Sequence, residues 1–90
     1  MTDTMYDMEI SEQLDKKLTK LAKKNKDQLK IIENKTDEIL RNPHRYKNLR
    51  GDMKGAKRVH IDTHFVLVFE VHEKKGVVRF LDFDHHDKIY

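Results

Sequence analysis

Residues 65–71 have the sequence FVLVFEV, an apolar run interrupted by a single glutamate. A short run this rich in aromatic and β-branched residues predicts a central strand of a sheet. Residues 74–76, Lys-Lys-Gly, suit a hairpin turn, and the apolar residues 77–83 predict the last strand. Upstream, residues 58–62 alternate between apolar and polar side chains, and residues 46–50 could add a short edge strand. These runs predict an antiparallel meander of three or four strands.

Two helices are predicted before this meander. Ser11 is a suitable N-cap for a first helix that runs to about Lys24. Asp27 can cap a second helix, which should end before Asn42 because Pro43 disfavours helical geometry in the preceding residue. Both segments carry apolar stripes at helical spacing, namely Leu14, Leu18, Leu21 and Ala22, then Leu29, Ile32, Thr36, Ile39 and Leu40.

The order of these elements predicts the fold class. Residues 5–10 alternate and indicate an N-terminal strand with one buried face. A strand, two helices and then a run of strands are typical of an α+β domain with two layers. We expect the N-terminal strand and the helix hairpin to pack on one face of an antiparallel sheet, within a single domain spanning residues 1–90.

The composition excludes several kinds of site. The 90 residues include no cysteine, so neither a disulfide framework nor a thiolate nucleophile or metal ligand is available. No long apolar stretch and no signal-like N-terminus is present, so we expect a cytoplasmic protein with no membrane partner. Residues 15–47 carry eleven Lys and Arg against five acids. This basic segment fits a protein that contacts nucleic-acid phosphates, or equally a solvated lysine-rich helix face.

A second set of polar residues suggests acid–base chemistry. If the helices cover the face that carries Val59 and Ile61, the other face carries Arg58, His60 and Asp62. The C-terminal histidines could join this open face from the end of the last strand. Imidazoles and a cation on one surface can cleave RNA without a metal: one group takes the 2′-hydroxyl proton, another protonates the departing 5′-oxygen, and the cation stabilises the phosphorane.

A metal site is the main alternative role for the histidines. Imidazole and carboxylate ligands for zinc or manganese are present at His60, His64, His85, His86, Asp82 and Asp84. Their spacing fits no recognised metal motif, and adjacent histidines in a strand point to opposite faces. The sequence therefore favours catalysis with no metal and no small-molecule cofactor.

Several motifs resemble the RelE/ParE superfamily of bacterial and archaeal toxins, particularly its RelE and YafQ-like branches. Residues 49–61, with Leu49-Arg50-Gly51, Gly55 and an Arg-bearing strand, are similar to a family pattern, and residues 65–71 to its central strand. The ending, residues 85–90, is similar to the histidine-to-tyrosine endings of both branches. The resemblance covers essentially the whole chain.

The resemblance implies the toxin of a toxin–antitoxin pair, held inactive by its cognate antitoxin, that cleaves mRNA at the ribosome. By position, His60 and His86 match the histidines of the YafQ branch, and His85 matches the histidine of the RelE-type ending. Tyr90 matches the terminal aromatic residue, and His64 stands at the position of a catalytic aspartate. These five residues are the predicted catalytic set.

One departure from the family pattern concerns a cation. Asp82 stands where the YafQ branch has an arginine expected to stabilise the transition state. Arg50, Lys54 or Arg58 are the predicted substitutes for that charge and the predicted RNA-phosphate contacts. A catalytically weak or inactive protein that acts by binding, either to a gyrase-type target or as an RNA-binding module, is the alternative.

Overall fold

The computed structural model describes residues 5–48 and 55–89. Within these ranges the helices and strands follow one another as β1 (Asp7–Ile10), α1 (Glu12–Lys24), α2 (Lys26–Arg41), β2 (Ala56–Ile61), β3 (Phe65–His72), β4 (Val77–His85) and α3 (His86–Ile89). Short 3-10 turns lie at Pro43–Arg45 and Glu73–Lys75. No helix in the described ranges is long and apolar enough to cross a membrane.

The strands form one sheet in the order β1-β4-β3-β2. Strand β3 pairs antiparallel with β2 on one side and with β4 on the other. The helix hairpin packs on one face of this sheet. The predicted α+β two-layer fold is confirmed. The N-terminal strand joins the edge of the sheet parallel to β4, from Asp7 opposite Val77 to Ile10 opposite Phe80. The expectation that this strand has a buried face is wrong, because all four β1 residues are exposed.

Asn25 separates the two helices by capping both of them. Its backbone N–H donates to the Leu21 carbonyl at 2.8 Å, which closes α1. Its side-chain oxygen accepts the backbone N–H of Gln28 at 3.1 Å, which opens α2. Asp27, predicted as the cap, lies instead inside the first turn of α2, where its charge complements the helix dipole. Ser11 caps α1 as predicted, accepting the backbone N–H of Leu14 at 3.1 Å.

The main core lies between the helices and the sheet. Its buried members are Leu14, Ile32, Ile39, Leu40, Ile61, Leu67, Phe69, Val78, Phe80 and Phe83. A smaller cluster occupies the opposite face of the sheet, where Ile89 of α3 and Leu81 pack on Ala56, Val66 and Val68. Strand β3 is therefore covered on both faces, which accounts for its nearly unbroken apolar sequence.

The predicted edge strand at residues 46–50 is reduced, in the described part of the chain, to a single bridge. Asn48 pairs with Lys57 of β2, and Leu49 and Arg50 lie outside the described residues. The Lys57 ammonium donates to the Tyr46 carbonyl at 3.1 Å and to the Asn48 side chain at 3.2 Å, so this segment is held against β2.

The double cap at Asn25 can be tested by substitution. Asn25→Ala removes the oxygen that receives the Gln28 N–H, so we expect the free energy of unfolding to fall by about 1 kcal/mol. Asp27→Ala is the matched control, with an expected loss of about 0.5 kcal/mol from the helix dipole. Urea denaturation followed by circular dichroism measures both values. A larger loss in Asp27→Ala than in Asn25→Ala would assign the cap to Asp27.

Candidate functional site

Arg58 and His60 project from the face of the sheet opposite the helices, as predicted. Arg58 pairs across the strands with Val68, and His60 pairs with Val66, both of which belong to the smaller cluster on that face. The Arg58 side chain is half-buried and His60 is exposed. This surface, with α3 along one side, is called the open face below.

Asp62 does not share the open face, so that expectation is wrong. Strand β2 ends at Ile61, and Asp62 adopts a left-handed backbone conformation with φ of 55° in the turn to β3. Its carboxylate accepts a hydrogen bond from the Gln28 side chain of α2 at 3.4 Å, on the helix side of the molecule. The turn therefore removes the carboxylate from the predicted row of charges.

Three histidines converge at the end of the sheet. The rings of His64 and His85 stack with centroids 5.8 Å apart and an interplanar angle of 6°. The rings of His85 and His86 stack at 4.9 Å and 25°. The backbone N–H of His86 donates to the His64 carbonyl at 2.8 Å, which ties the two chain segments together. We call His64, His85 and His86 the histidine cluster.

The cluster forms because β4 ends at His85. His86 begins α3, so the alternation of side chains along the strand stops between these two residues. The expectation that adjacent histidines point to opposite faces is therefore wrong, and with it the geometric argument against shared metal ligation. Helix α3 then carries Ile89 back onto the open face, where it packs near Val66 and Val68.

Asp87 holds the two tail rings in place. Its carboxylate oxygens lie 3.2 Å from Nδ1 of His86 and 3.5 Å from Nδ1 of His85. Its backbone N–H lies 3.3 Å from the same His85 nitrogen. One ring nitrogen of each imidazole is thus engaged by Asp87, and the edge of the Phe65 ring supports His85 at 5.6 Å.

His60 stands apart from the histidine cluster. It lies opposite Val66 on β3, and Val66 lies opposite Asp84 on β4, so β3 separates the two sets. Two strand spacings correspond to about 10 Å between backbones. No hydrogen bond, ion pair or ring contact joins His60 to the cluster among the described residues. A ligand that touched both would span β3.

Lys17 supplies a cation beside Asp82, and the sequence did not reveal it. Its ammonium, on α1, lies 2.7 Å from an Asp82 oxygen, 2.8 Å from an Asp84 oxygen and 3.2 Å from the Phe83 carbonyl. The hydrogen bond from Lys17 lowers the pKa of Asp84. Partial burial acts to lower the pKa of Lys17, but the hydrogen bonds to both carboxylates outweigh it and the net shift is upward. The two aspartates are 65 and 67 residues away from Lys17 in sequence. Nothing in the sequence distinguishes this lysine from the many others, so these ion pairs could not be predicted.

A set of polar residues at the other end of the sheet was also not predicted from the sequence. Tyr6 donates to a Glu73 oxygen at 2.5 Å, and His44 lies 2.6 Å from the same oxygen. The hydrogen bond from Tyr6 is the main reason why the pKa of Glu73 is lowered, and Glu73 in turn raises the pKa of Tyr6. The predicted site residues Arg50, Lys54 and Tyr90 lie outside the described residues.

The Lys17 contacts predict how stability depends on pH. A carboxylate whose pKa is lowered in the folded state stabilises it above the unfolded pKa, and this stabilisation is lost as pH falls through the folded pKa. The raised pKa of Lys17 keeps its contribution present at neutral pH. Because Lys17 is 34% exposed, we expect Lys17→Met to cost about 1 kcal/mol of unfolding free energy at pH 7. The difference from wild type should begin to shrink below about pH 4, where an unfolded aspartate binds its proton, and it should be lost as pH falls through the lowered pKa of folded Asp84.

Urea titrations at pH 7 and pH 3 measure this difference. Lys35→Met is the control, because its ammonium pairs with the exposed Glu38 at 3.4 Å, and it should change stability by less than about 0.5 kcal/mol. A loss in Lys17→Met that is the same at both pH values would show that packing of the lysine stem, not the ion pair, is responsible.

A sequence model described as ParE toxin of type II toxin-antitoxin system, parDE, matches residues 8–90. An uncharacterized protein of Methanosarcina mazei is 62% identical over 96% of this chain and 100% of its own length. A protein of Methanocaldococcus jannaschii named putative toxin RelE4 is 57% identical over 96% of this chain and 92% of its own.

The fold is also found among solved structures. The toxin–antitoxin complex RelBE2 of Mycobacterium tuberculosis contains a chain that superposes with a TM-score of 0.75, covering 93% of this chain and 94% of that one. The identity is 21%, so this likeness bears on the fold alone.

Proposed function

The chain belongs to the ParE toxin family of type II toxin–antitoxin systems, within the RelE/ParE superfamily, and we propose that it is an endoribonuclease that cleaves mRNA at the ribosome. The observation that supports this most is the open face, where Arg58 and His60 of β2 lie across β3 from His86, the first residue of α3. The imidazoles lie on either side of β3, which sets a gap of about 10 Å between their backbones. Ile89 of α3 packs on Val66 and Val68 within it, so a phosphodiester that reaches both rings would lie over β3 beside Ile89. We propose metal-independent acid–base catalysis across that gap.

The proposed reaction uses His60 and His86 as the proton-transfer pair. One imidazole takes the proton from the 2′-hydroxyl, whose oxygen attacks phosphorus, and the other protonates the 5′-oxygen as its bond to phosphorus breaks. Arg58 lies on the same face as His60 and stabilises the charged phosphorane. His85 stacks on His86 and is the alternate for its role.

The remaining predicted residues have supporting roles in this proposal. His64 holds the tail through the hydrogen bond from His86 to its carbonyl and stacks on His85. Arg50 and Lys54 precede β2 in the chain and are proposed as further phosphate contacts. Tyr90 follows α3 directly and is proposed to stack on a base of the substrate.

Substitution of the proton-transfer pair tests catalysis. We expect His60→Ala and His86→Ala each to slow single-turnover RNA cleavage by roughly a hundredfold or more, with RNA binding nearly unchanged. His72→Ala is the matched control, because His72 lies at the opposite end of β3, where its ring nitrogen is 2.7 Å from a Glu70 oxygen. This variant should cleave RNA at the wild-type rate. Cleavage rates are measured on ribosome-bound mRNA, and binding on a labelled oligonucleotide.

Two outcomes would contradict this mechanism. Cleavage that EDTA abolishes and zinc or manganese restores would require a catalytic metal. Histidine variants that cleave at the wild-type rate would remove the proton-transfer roles.

A protein that acts by binding is the second candidate, and the Lys17 contacts favour it. The acidic Asp82, at the position of a family arginine, is ion-paired to Lys17, and the Lys17 ammonium is shared between Asp82 and Asp84. Position 82 therefore supplies no cation to a substrate phosphate. Growth arrest on expression that persists in the His60→Ala/His86→Ala double variant would support a gyrase-type target. Salt-dependent RNA binding without cleavage would support a binding module.

We propose that the partner is an antitoxin segment that binds in a groove on the helix side of the molecule. The groove has a volume of about 350 Å³ and lies between β1 and the helix hairpin, lined by Met8, Ile10, Leu18, Thr19, Ala22, Leu29, Ile32, Glu33 and Thr36. Met8 is 49% exposed and Ile10 is 36% exposed, so an apolar surface is left uncovered. Strand β1 lies at the sheet edge and can accept a further strand.

Introduction of a charge into the groove tests the partner proposal. Met8→Arg places a charge in the apolar groove, so we expect it to reduce copurification with a co-expressed cognate antitoxin at least tenfold. Ile31→Arg is the control, because Ile31 is 38% exposed on α2 and does not line the groove. Equal recovery of the partner with both variants would place the interface elsewhere.

A further inference from the structure

We propose that the histidine cluster binds a zinc ion. His64, His85 and His86 each offer a ring nitrogen, and these three nitrogens all lie within 4.8 Å of one another. Three imidazoles with an open fourth position are a ligand set suited to Zn²⁺, whereas Mg²⁺ and Ca²⁺ prefer oxygen ligands. The cluster is at the molecular surface, with His85 and His86 side chains 38% and 41% exposed, so an ion can reach it.

The distances need little adjustment to hold zinc. Tetrahedral zinc with bonds of about 2.0–2.1 Å to nitrogen places its ligands roughly 3.4 Å apart. The ligand nitrogens must therefore close by up to about 1.4 Å, and the rings must turn out of their stacked arrangement so that their lone pairs converge on one ion. Rotation about the side-chain bonds provides both movements. None of the three rings is buried, so this rotation does not disturb the core.

The backbone fixes the positions from which the rings turn. Phe65 pairs with His85 in the β3–β4 ladder, and the His86 N–H donates to the His64 carbonyl at 2.8 Å. The two segments that supply the ligands are thus joined immediately beside the site. A site assembled before the ion arrives loses less conformational entropy on binding.

Asp87 provides the outer contacts that metal-binding histidines require. Its carboxylate lies 3.2 Å from Nδ1 of His86 and 3.5 Å from Nδ1 of His85. At His86, a carboxylate in this place accepts the N–H of an imidazole that ligates through its other nitrogen, which fixes the tautomer and makes the ligand more basic. At His85, the Asp87 carboxylate takes this role only in the Nδ1–H tautomer, because the Asp87 backbone N–H donates to Nδ1 in the structure. The other carboxylates near the tail, Asp82 and Asp84, are occupied by Lys17.

Bound zinc would inhibit RNA cleavage, and this consequence rests on the proposed function. A nitrogen lone pair of His86 that is bound to zinc cannot accept or deliver a proton. The cation would also cover the end of β4 where the substrate phosphate is proposed to lie. Zinc is accordingly an inhibitor in this proposal and has no part in the cleavage reaction.

Calorimetric titration of the purified full chain with zinc chloride, without RNA, tests the site itself. We expect one zinc per chain, with binding at least tenfold weaker in His64→Ala and in Asp87→Asn and unchanged in the control His72→Ala. Circular dichroism and thermal melting without metal verify that each variant folds. Cobalt substitution should give the visible absorption of a tetrahedral nitrogen-ligated ion in wild type and lose it in His64→Ala.

The outcomes separate this site from the proposed function. The zinc site is overturned if wild type shows no saturable binding, or if His64→Ala binds as tightly as wild type. Inhibition is tested on wild type alone, where zinc should stop RNA cleavage over the concentration range in which it binds and EDTA should restore it. Zinc binding with undiminished cleavage would overturn the inhibition, and binding by a protein that never cleaves RNA would overturn the proposed nuclease and leave the metal site standing.

Discussion

The pairing of β3 with β4 is the constraint on which the rest of the structure depends. The register shifts between Val68 and Phe69, so that Asp82 and Phe80 are consecutive partners and Leu81 is an extra residue on β4. Phe80 and Phe83 are three positions apart, and an undisturbed strand would turn them to opposite faces. The bulge turns both toward the helices, where they join the main core, and directs Leu81 to the smaller cluster on the other face.

The same register decides where the charged and titratable residues lie. Beyond the bulge, Asp82 and Asp84 alternate with Phe83, and β1 ends its pairing at Phe80, so this stretch of β4 runs along an open edge. Lys17 on α1 reaches that edge and forms ion pairs with both carboxylates. An arginine is expected at position 82 from the family pattern, but here the cation comes from a helix, and it is committed to two aspartates instead of a substrate phosphate.

Much of the fold could be predicted from local sequence because local physics governs it. The apolar run at residues 65–71, the Ser11 cap and the stop before Pro43 each follow from short-range rules. The failures involve choices between local alternatives or contacts between distant residues. Asn25 and Asp27 are both good caps, and the structure uses Asn25. Three features join residues far apart in sequence, namely the parallel pairing of β1, the bulge at Leu81 and the Lys17 contacts. No periodicity in the local sequence predicts them.

The candidate site shows the same division. The placement of Arg58 and His60 on the open face follows from alternation along β2, and it was predictable once the buried face was known. The convergence of His64, His85 and His86 depends on β4 ending between two adjacent residues, which pattern alone does not fix. This single change from strand to helix stacks two imidazoles that would otherwise point apart, and both proposed roles of the tail depend on it. A proton and a metal ion bind the same nitrogen lone pair, so the occupancy of the cluster by one excludes the other. The proposed proton transfer and the proposed zinc ligation both use His86, so His86 cannot perform both at the same moment.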